Sequence, residues 1–237
     1  MESYQDFLER ISGFQTEEML LVDGDFTPSK SVPRKVCPDN TYSDFYGDTT
    51  VFELDSESKY RIEKITDKLF ESVPEVFSER LPSSTYHITL HDLYNSPDLG
   101  KIAEKMFFGE IKLKQLLTEN PPGKQTIKMK AKCIFNMVGT SVVLGFYPTD
   151  KTEYNKLMTL YETIEKVKKL DRPLTPHVTL GYYNINGFSA ENTQQLKETV
   201  RELNKEINGF EIELSTQRLY YQKFLSMKEY INIFPFD

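Results

Sequence analysis

Apolar residues change their period several times along this chain, and each change marks an element. From Met1 to about Phe14, the residues Phe7, Leu8, Ile11 and Phe14 recur at helical spacing and predict a short amphipathic helix. Residues 27–42 carry Pro28, Pro33 and Pro38 among polar residues and read as a loop. Thr49 to Leu54 is β-branched and aromatic, which predicts a strand, and Asp55 or Ser56 can cap the helix marked by Ile62, Ile65 and Leu69. A strand around His87 follows. Leu99, Ile102 and Met106 then predict a helix that Gly109 can interrupt before Leu113, Leu116 and Leu117. The run Pro121-Pro122-Gly123 is a break.

Beyond that break, Thr126 to Phe135 and Thr140 to Tyr147 predict a hairpin turning near residues 136–139. A long helix is marked by Tyr154, Leu157, Met158, Tyr161 and Ile164. A strand at His177 comes next, then a helix with Leu196, Val200, Leu203 and Ile207. Two closing strands are expected, Phe210 to Tyr221 and Ser226 to Phe234.

The order strand, helix, histidine strand, helix therefore occurs twice. From Val51 to His87 is 36 residues (87 − 51), and from Val143 to His177 is 34 (177 − 143). Two copies of one unit about a pseudo-two-fold axis would set the equivalent strands on opposite walls of one cleft. On this reading residues 1–45 form an N-terminal extension packed on the body. Residues 46–237 form a single domain with lobes of about 46–120 and 121–237.

The histidine strands repeat in detail: Tyr86-His87-Ile88-Thr89-Leu90 and Pro176-His177-Val178-Thr179-Leu180. Side chains alternate along a strand, so His87 shares a face with Thr89, and His177 with Thr179. By the same alternation His91 joins the first face. Gly181 and Tyr183 join the second, where Gly181 would leave room for a ligand. Tyr86, Ile88, Leu90, Val178 and Leu180 should pack against helices.

Composition narrows the chemistry. The chain has 237 residues, a formal net charge of −7 and only 3 histidines. An acidic balance argues against tight binding of long nucleic acid, which depends on neutralising many phosphates, but leaves a small phosphate ligand open. Lys128, Lys130 and Lys132 form one basic strand face, read as a solvated sheet edge guarded by lysines. Cys37 and Cys133 have neither zinc nor disulfide spacing and are expected as free thiols, with no metal. No run is apolar enough to span a bilayer, and the N-terminus lacks a signal-peptide layout, so no membrane partner and a cytoplasmic location are expected.

Imidazoles titrate near neutral pH, so two of them facing a cleft can act as an acid and base pair. Threonine hydroxyls donate to anionic oxygens. Together these groups suit in-line cleavage of a phosphodiester. The paired motifs His87-Ile88-Thr89-Leu90 and His177-Val178-Thr179-Leu180, 90 residues apart (177 − 87), resemble the 2H phosphoesterase, or LigT-like, superfamily. The likeness covers roughly Thr49 to Phe236. Residues Phe45 to Val51 are similar to the lead-in of an uncharacterised bacterial branch.

The resemblance implies a bilobal α+β fold whose two antiparallel sheets line a central groove, with helices outside. It implies a hydrolase that needs no metal or other cofactor and opens cyclic phosphates or short oligonucleotide phosphodiesters. His87 and His177 would be acid and base, in either order, with Thr89 and Thr179 on the phosphate. Candidate substrate contacts are His91, Tyr183, Tyr42, Phe45, Tyr46, Arg218 and Tyr221, set against the alternative that most aromatic residues build the core. Related proteins acting on RNA ends often carry basic grooves, whereas this chain is acidic, which favours a nucleotide or short oligonucleotide partner. Two other readings stay open: a non-catalytic nucleotide-binding protein with the same cleft, and structural histidines in an unrelated α+β protein.

Overall fold

Caps and turns begin the elements close to where the apolar periodicity sets them. The computed structural model describes residues 2–14 and 23–236. Helix α1 spans Tyr4–Phe14, β1 Tyr46–Glu53, α2 Ser56–Ser72, β2 His87–Ser96 and α3 Ala103–Glu119. The second half runs β3 Thr126–Met137, β4 Ser141–Pro148, α4 Lys151–Glu165, β5 His177–Tyr182, α5 Ala190–Glu206, β6 Glu211–Ser215, β7 Leu219–Ser226 and β8 Glu229–Pro235. The Asp55 side chain accepts from Ser58 N and caps α2, while Asp150 and Ser189 cap α4 and α5 in the same way.

The strands form two antiparallel four-stranded sheets, ordered β2-β1-β7-β8 and β5-β4-β3-β6. Each histidine strand is the edge of its sheet, and β2 and β5 approach one another. Tyr86, Ile88, Leu90, Val178 and Leu180 are buried in the main core, as their alternation requires.

Four expectations change. Helix α3 runs through Gly109, which packs closely against Tyr94: an added Cβ would sit 3.1 Å from that ring. The stretch Phe210 to Tyr221 is not one strand. A 3-10 turn at Thr216–Arg218 splits it, sending β6 to one sheet and β7 to the other. Because β7 and β8 pair back onto β1, the break at residues 121–123 does not divide two lobes contiguous in sequence. Finally, β3 lies inside its sheet. Its lysines face carboxylates on β6, with Lys130 paired to Glu211 at 3.2 Å and Lys128 opposite Glu213.

The N-terminal segment is woven onto this frame. Tyr4 and Phe7 of α1 pack on Tyr154 of α4, whose hydroxyl donates to Glu2 O. Val32, Val36, Tyr42 and Phe45 are buried. Ser29 N donates to Gly139 O in the β3–β4 turn, and Phe45 N to Leu225 O on β7, so the segment touches both sheets.

One buried charge stands behind the first sheet. Asp48 is 1% exposed, accepting from Tyr94 N at 2.7 Å and from the Tyr221 hydroxyl at 2.8 Å. Burial pushes its carboxyl up to about 6 from the ordinary 3.8, against the hydrogen bonds and the lysines that favour ionisation. A carboxyl whose native value is raised stabilises the fold below its unfolded value and loses that contribution as pH rises through the native one. Ionised Asp48 therefore costs about 1–3 kcal/mol at pH 7. Asp48→Asn should gain Tm relative to wild type as pH rises from 4 to 8. A melting difference that is flat across that range would contradict this.

Candidate active site

Each histidine strand carries an extra residue just beyond its threonine. In β2, Thr89 stands opposite Val51 and His91 opposite Thr50; in β5, Thr179 stands opposite Val143 and Gly181 opposite Val142. Leu90 and Leu180 are the extra residues, so both strands bulge one position after the threonine. The matched pairs Val51 with Thr89 and Val143 with Thr179 are the structural form of the two similar sequence offsets.

Before the bulge the alternation holds. His87, Thr89, His177 and Thr179 all line one cavity of about 590 Å³. His87 Nδ1 lies 2.7 Å from Thr85 O, and His177 Nδ1 lies 2.7 Å from Thr175 O. A carbonyl can only accept, so Nδ1 carries the proton and Nε2 keeps its lone pair. Among the described residues, neither Thr89 nor Thr179 has a hydrogen-bond partner for its hydroxyl. Two imidazole lone pairs and two uncommitted hydroxyls thus share the cavity.

After the bulge the faces exchange. His91 is 1% exposed, on the side of Thr50, with its ring 5.0 Å from that of Tyr161 on α4. It meets the cavity wall there rather than on the face of His87, and among the described residues its Nε2 has no hydrogen-bond partner. Asp92 takes the place expected for His91 and forms an ion pair with Arg172, which precedes β5. In β5, an added Cβ on Gly181 would lie 2.9 Å from Phe77, so Gly181 makes room for α2-side aromatics rather than for a ligand. Tyr183 is fully buried among Phe26, Phe77 and Phe188 and donates to Asn136 Oδ1. Tyr182 lines the cavity in its stead.

The other candidates divide. Phe45 borders the cavity. Tyr42 does not; it lies edge-on behind Tyr182 and donates to Glu79 O. Tyr46 donates to Asp44 at the surface. Arg218 is spent joining Glu53 O, Glu213 O and Asp55, and the Tyr221 hydroxyl is spent on Asp48. Sequence reasoning missed Tyr230, whose ring meets His87 edge-on at 5.0 Å, and also Tyr182, Asp92, Arg172, Arg34 and Lys35. Tyr230 opens the closing strand opposite Phe224, which also lines the cavity.

The charge around the cavity inverts that of the chain. Arg10, Arg34, Lys35 and Arg172 border it, with Asp92 as the sole carboxylate among the described lining residues. Arg10 is held by Glu2 and donates to Thr175 Oγ1 and Leu174 O, steadying the segment that orients His177. Among the described residues no group of three or more His, Cys, Asp or Glu side chains is gathered as a metal ion would require. Among the described residues no helix is long and apolar enough to cross a membrane.

Burial lowers both imidazoles, His87 to about 4, against the hydrogen bonds to Thr85 O and Thr175 O and the charge of Asp92; repulsion from His177 adds a smaller lowering at His87. Nitrogen-detected NMR at pH 7 should find His87 and His177 neutral with Nδ1 protonated. A charged ring or the Nε2-protonated tautomer at either position would contradict the geometry.

No protein-family model matches the chain. No curated protein sequence matches it either. Among solved structures, a conserved protein of unknown function from Agrobacterium tumefaciens is similar at a TM-score of 0.71 and 12% identity, over 89% of this chain and 94% of that one. LigT from E. coli, complexed with 3'-AMP, is similar at a TM-score of 0.50 and 17% identity, over 81% of this chain and 97% of LigT. At these identities the likeness is one of fold: the chain has the LigT-like, 2H phosphoesterase fold.

Proposed function

We propose that this protein is a phosphodiesterase that uses His87 and His177 as a general base and general acid. The observation that carries the reading is the mirrored pair of imidazoles. Each is fixed through Nδ1 by the carbonyl two residues before it and followed two residues later by an uncommitted threonine hydroxyl. The fold of LigT, whose complex contains 3'-AMP, supports a nucleotide-sized ligand.

In the reaction, one Nε2 takes a proton from the attacking water as its oxygen bonds to phosphorus. The other imidazole, protonated, gives its proton to the oxygen that leaves as the P–O bond breaks. For a 2',3'-cyclic phosphate the leaving oxygen is a ribose hydroxyl oxygen, and the product is a phosphomonoester. Thr89 and Thr179 donate to the non-bridging oxygens, which gain charge in the transition state. The near-mirror arrangement lets substrate orientation decide which histidine starts protonated. The Tyr230 hydroxyl, whose ionisation burial opposes, stays a donor beside His87.

Both imidazoles are neutral in the free protein, so the proton of the acid must be retained by the bound phosphate. An anion between the rings favours the imidazolium form and raises both values. The profile of kcat/KM reports the free protein, so its optimum should lie between about 4, set by His87, and the ordinary histidine value, from which His177 is lowered. The kcat profile should reach its optimum at higher pH. Coincident profiles centred above pH 7 would refute this assignment.

Turnover of 2',3'-cyclic mononucleotides, ADP-ribose 1",2"-cyclic phosphate, 2'-5' oligoadenylate and cyclic oligonucleotides should be measured with EDTA present. His87→Ala and His177→Ala should each lower kcat by about 10²–10⁴-fold while remaining folded. Activity abolished by EDTA would defeat the metal-free mechanism. Nucleotide binding without turnover would identify a binding protein with the same groove.

A further inference from the structure

Four cations border the cavity, but they are not equivalent. Arg172 is paired with Asp92, and Arg10 with Glu2. Arg34 and Lys35 have no carboxylate partner among the described residues, in a chain with 36 Asp and Glu against 29 Lys and Arg. Both come from the N-terminal segment rather than from the strands that carry the histidines.

Their placement is built. Val32 and Val36, each 1% exposed, anchor the turn on either side of them. Lys35 N donates to Val32 O at 2.8 Å, and Ser43 N donates to Lys35 O at 3.0 Å. The Arg34 guanidinium and the Lys35 ammonium each stand 5.4 Å from the centre of the Phe45 ring. The ammonium is also 5.0 Å from the Tyr182 ring and 3.5 Å from its hydroxyl. Tyr182 is the residue that the β5 bulge returns to the cavity. It lies three positions beyond Thr179 on β5, which sets its backbone up to roughly 10 Å from that of the threonine, and Lys35 meets the cavity at the Tyr182 ring. Aromatic side chains, Tyr182 and Phe45, flank the interval.

We propose that Arg34 and Lys35 form a second anion subsite, and that the substrate class is a nucleotide carrying another phosphate one nucleoside away from the phosphate that reacts. The inference rests on the phosphodiester reading of the groove and adds a part of the substrate. The second phosphate can be the terminal phosphate of a mononucleotide or the internucleotide linkage of an oligonucleotide. Either places an anion against two cations that have no carboxylate of their own, with the intervening base or ribose beside the aromatic rings.

The test is calorimetric binding of three ligands to the full chain: adenosine 3'-monophosphate, adenosine 3',5'-bisphosphate, and the dinucleotide ApA bearing a 3'-phosphate. The bisphosphate or the dinucleotide should bind at least about 10-fold more tightly than the monophosphate. The tighter of the two says whether the second phosphate is terminal or internucleotide. In Lys35→Met combined with Arg34→Gln the ratio should fall towards one. It is a ratio within one protein sample, so a change in the amount of folded protein does not alter it. Equal affinity for all three ligands, or a preference that survives the double substitution, would overturn the inference. Binding requires no turnover. An inactive protein that still discriminates would therefore uphold this subsite while removing the catalytic reading.

Discussion

An extra residue just past the threonine of each edge strand governs what this groove can hold. A strand that alternated regularly would carry His87, Thr89 and His91 on one face, and His177, Thr179 and Gly181 on the other wall. The bulges at Leu90 and Leu180 end that alternation one residue after the threonine. Both leucines stay in the core, yet the residues that directly follow them change sides. His91 and Tyr183 turn away from that face, while Asp92 and Tyr182 turn into the cavity. The same local event has opposite chemical results on the two walls. It supplies an acid tied to Arg172 on one and an aromatic platform within reach of Lys35 on the other.

That constraint also explains which parts of the molecule were legible from residues alone. Helical periods located α1 to α5, and a cap at Asp55 the start of α2, because burial of one stripe and satisfaction of end groups act within a few residues. His87, Thr89, His177 and Thr179 were legible because alternation needs only two steps to hold. Tyr183, His91 and Gly181 were misplaced because a bulge costs one residue and leaves no composition signal in an apolar strand. Arg218 and Tyr221 were misread for another reason. The turn at Thr216–Arg218 hands the chain from one sheet to the other, so neither strand continues the facing of its predecessor. Lys128 and Lys130 looked like edge protection because the pairing carboxylates, Glu213 and Glu211, lie more than eighty residues away in sequence.

Charge shows the same gap between composition and place. The overall excess of acid says little about a cavity whose wall gathers Arg10, Arg34, Lys35 and Arg172 around one carboxylate. Arg10, Arg34 and Lys35 reach it through the N-terminal segment, which touches both sheets and so sets the cavity's rim as well as its charge. Screening is weaker in such a recess than at the open surface, so a phosphate inside responds to these few groups more than to the distant surplus of Asp and Glu.

The low proton affinity of the histidines belongs to this balance. Burial, with a smaller repulsion from His177, discharges His87, and burial discharges His177; Asp92, the carboxylate facing both, is already engaged by Arg172. In the free protein the groove therefore holds cations at its rim and neutral imidazoles at its centre. A phosphate that enters supplies the negative charge that makes an imidazolium stable there, while both Nδ1 atoms remain fixed on their carbonyls. Only Nε2 is left to gain or lose a proton, on the side where the ligand lies. Under the proposed mechanism the ligand thus completes the acid and base pair, and a groove without an anion has little tendency to assemble one.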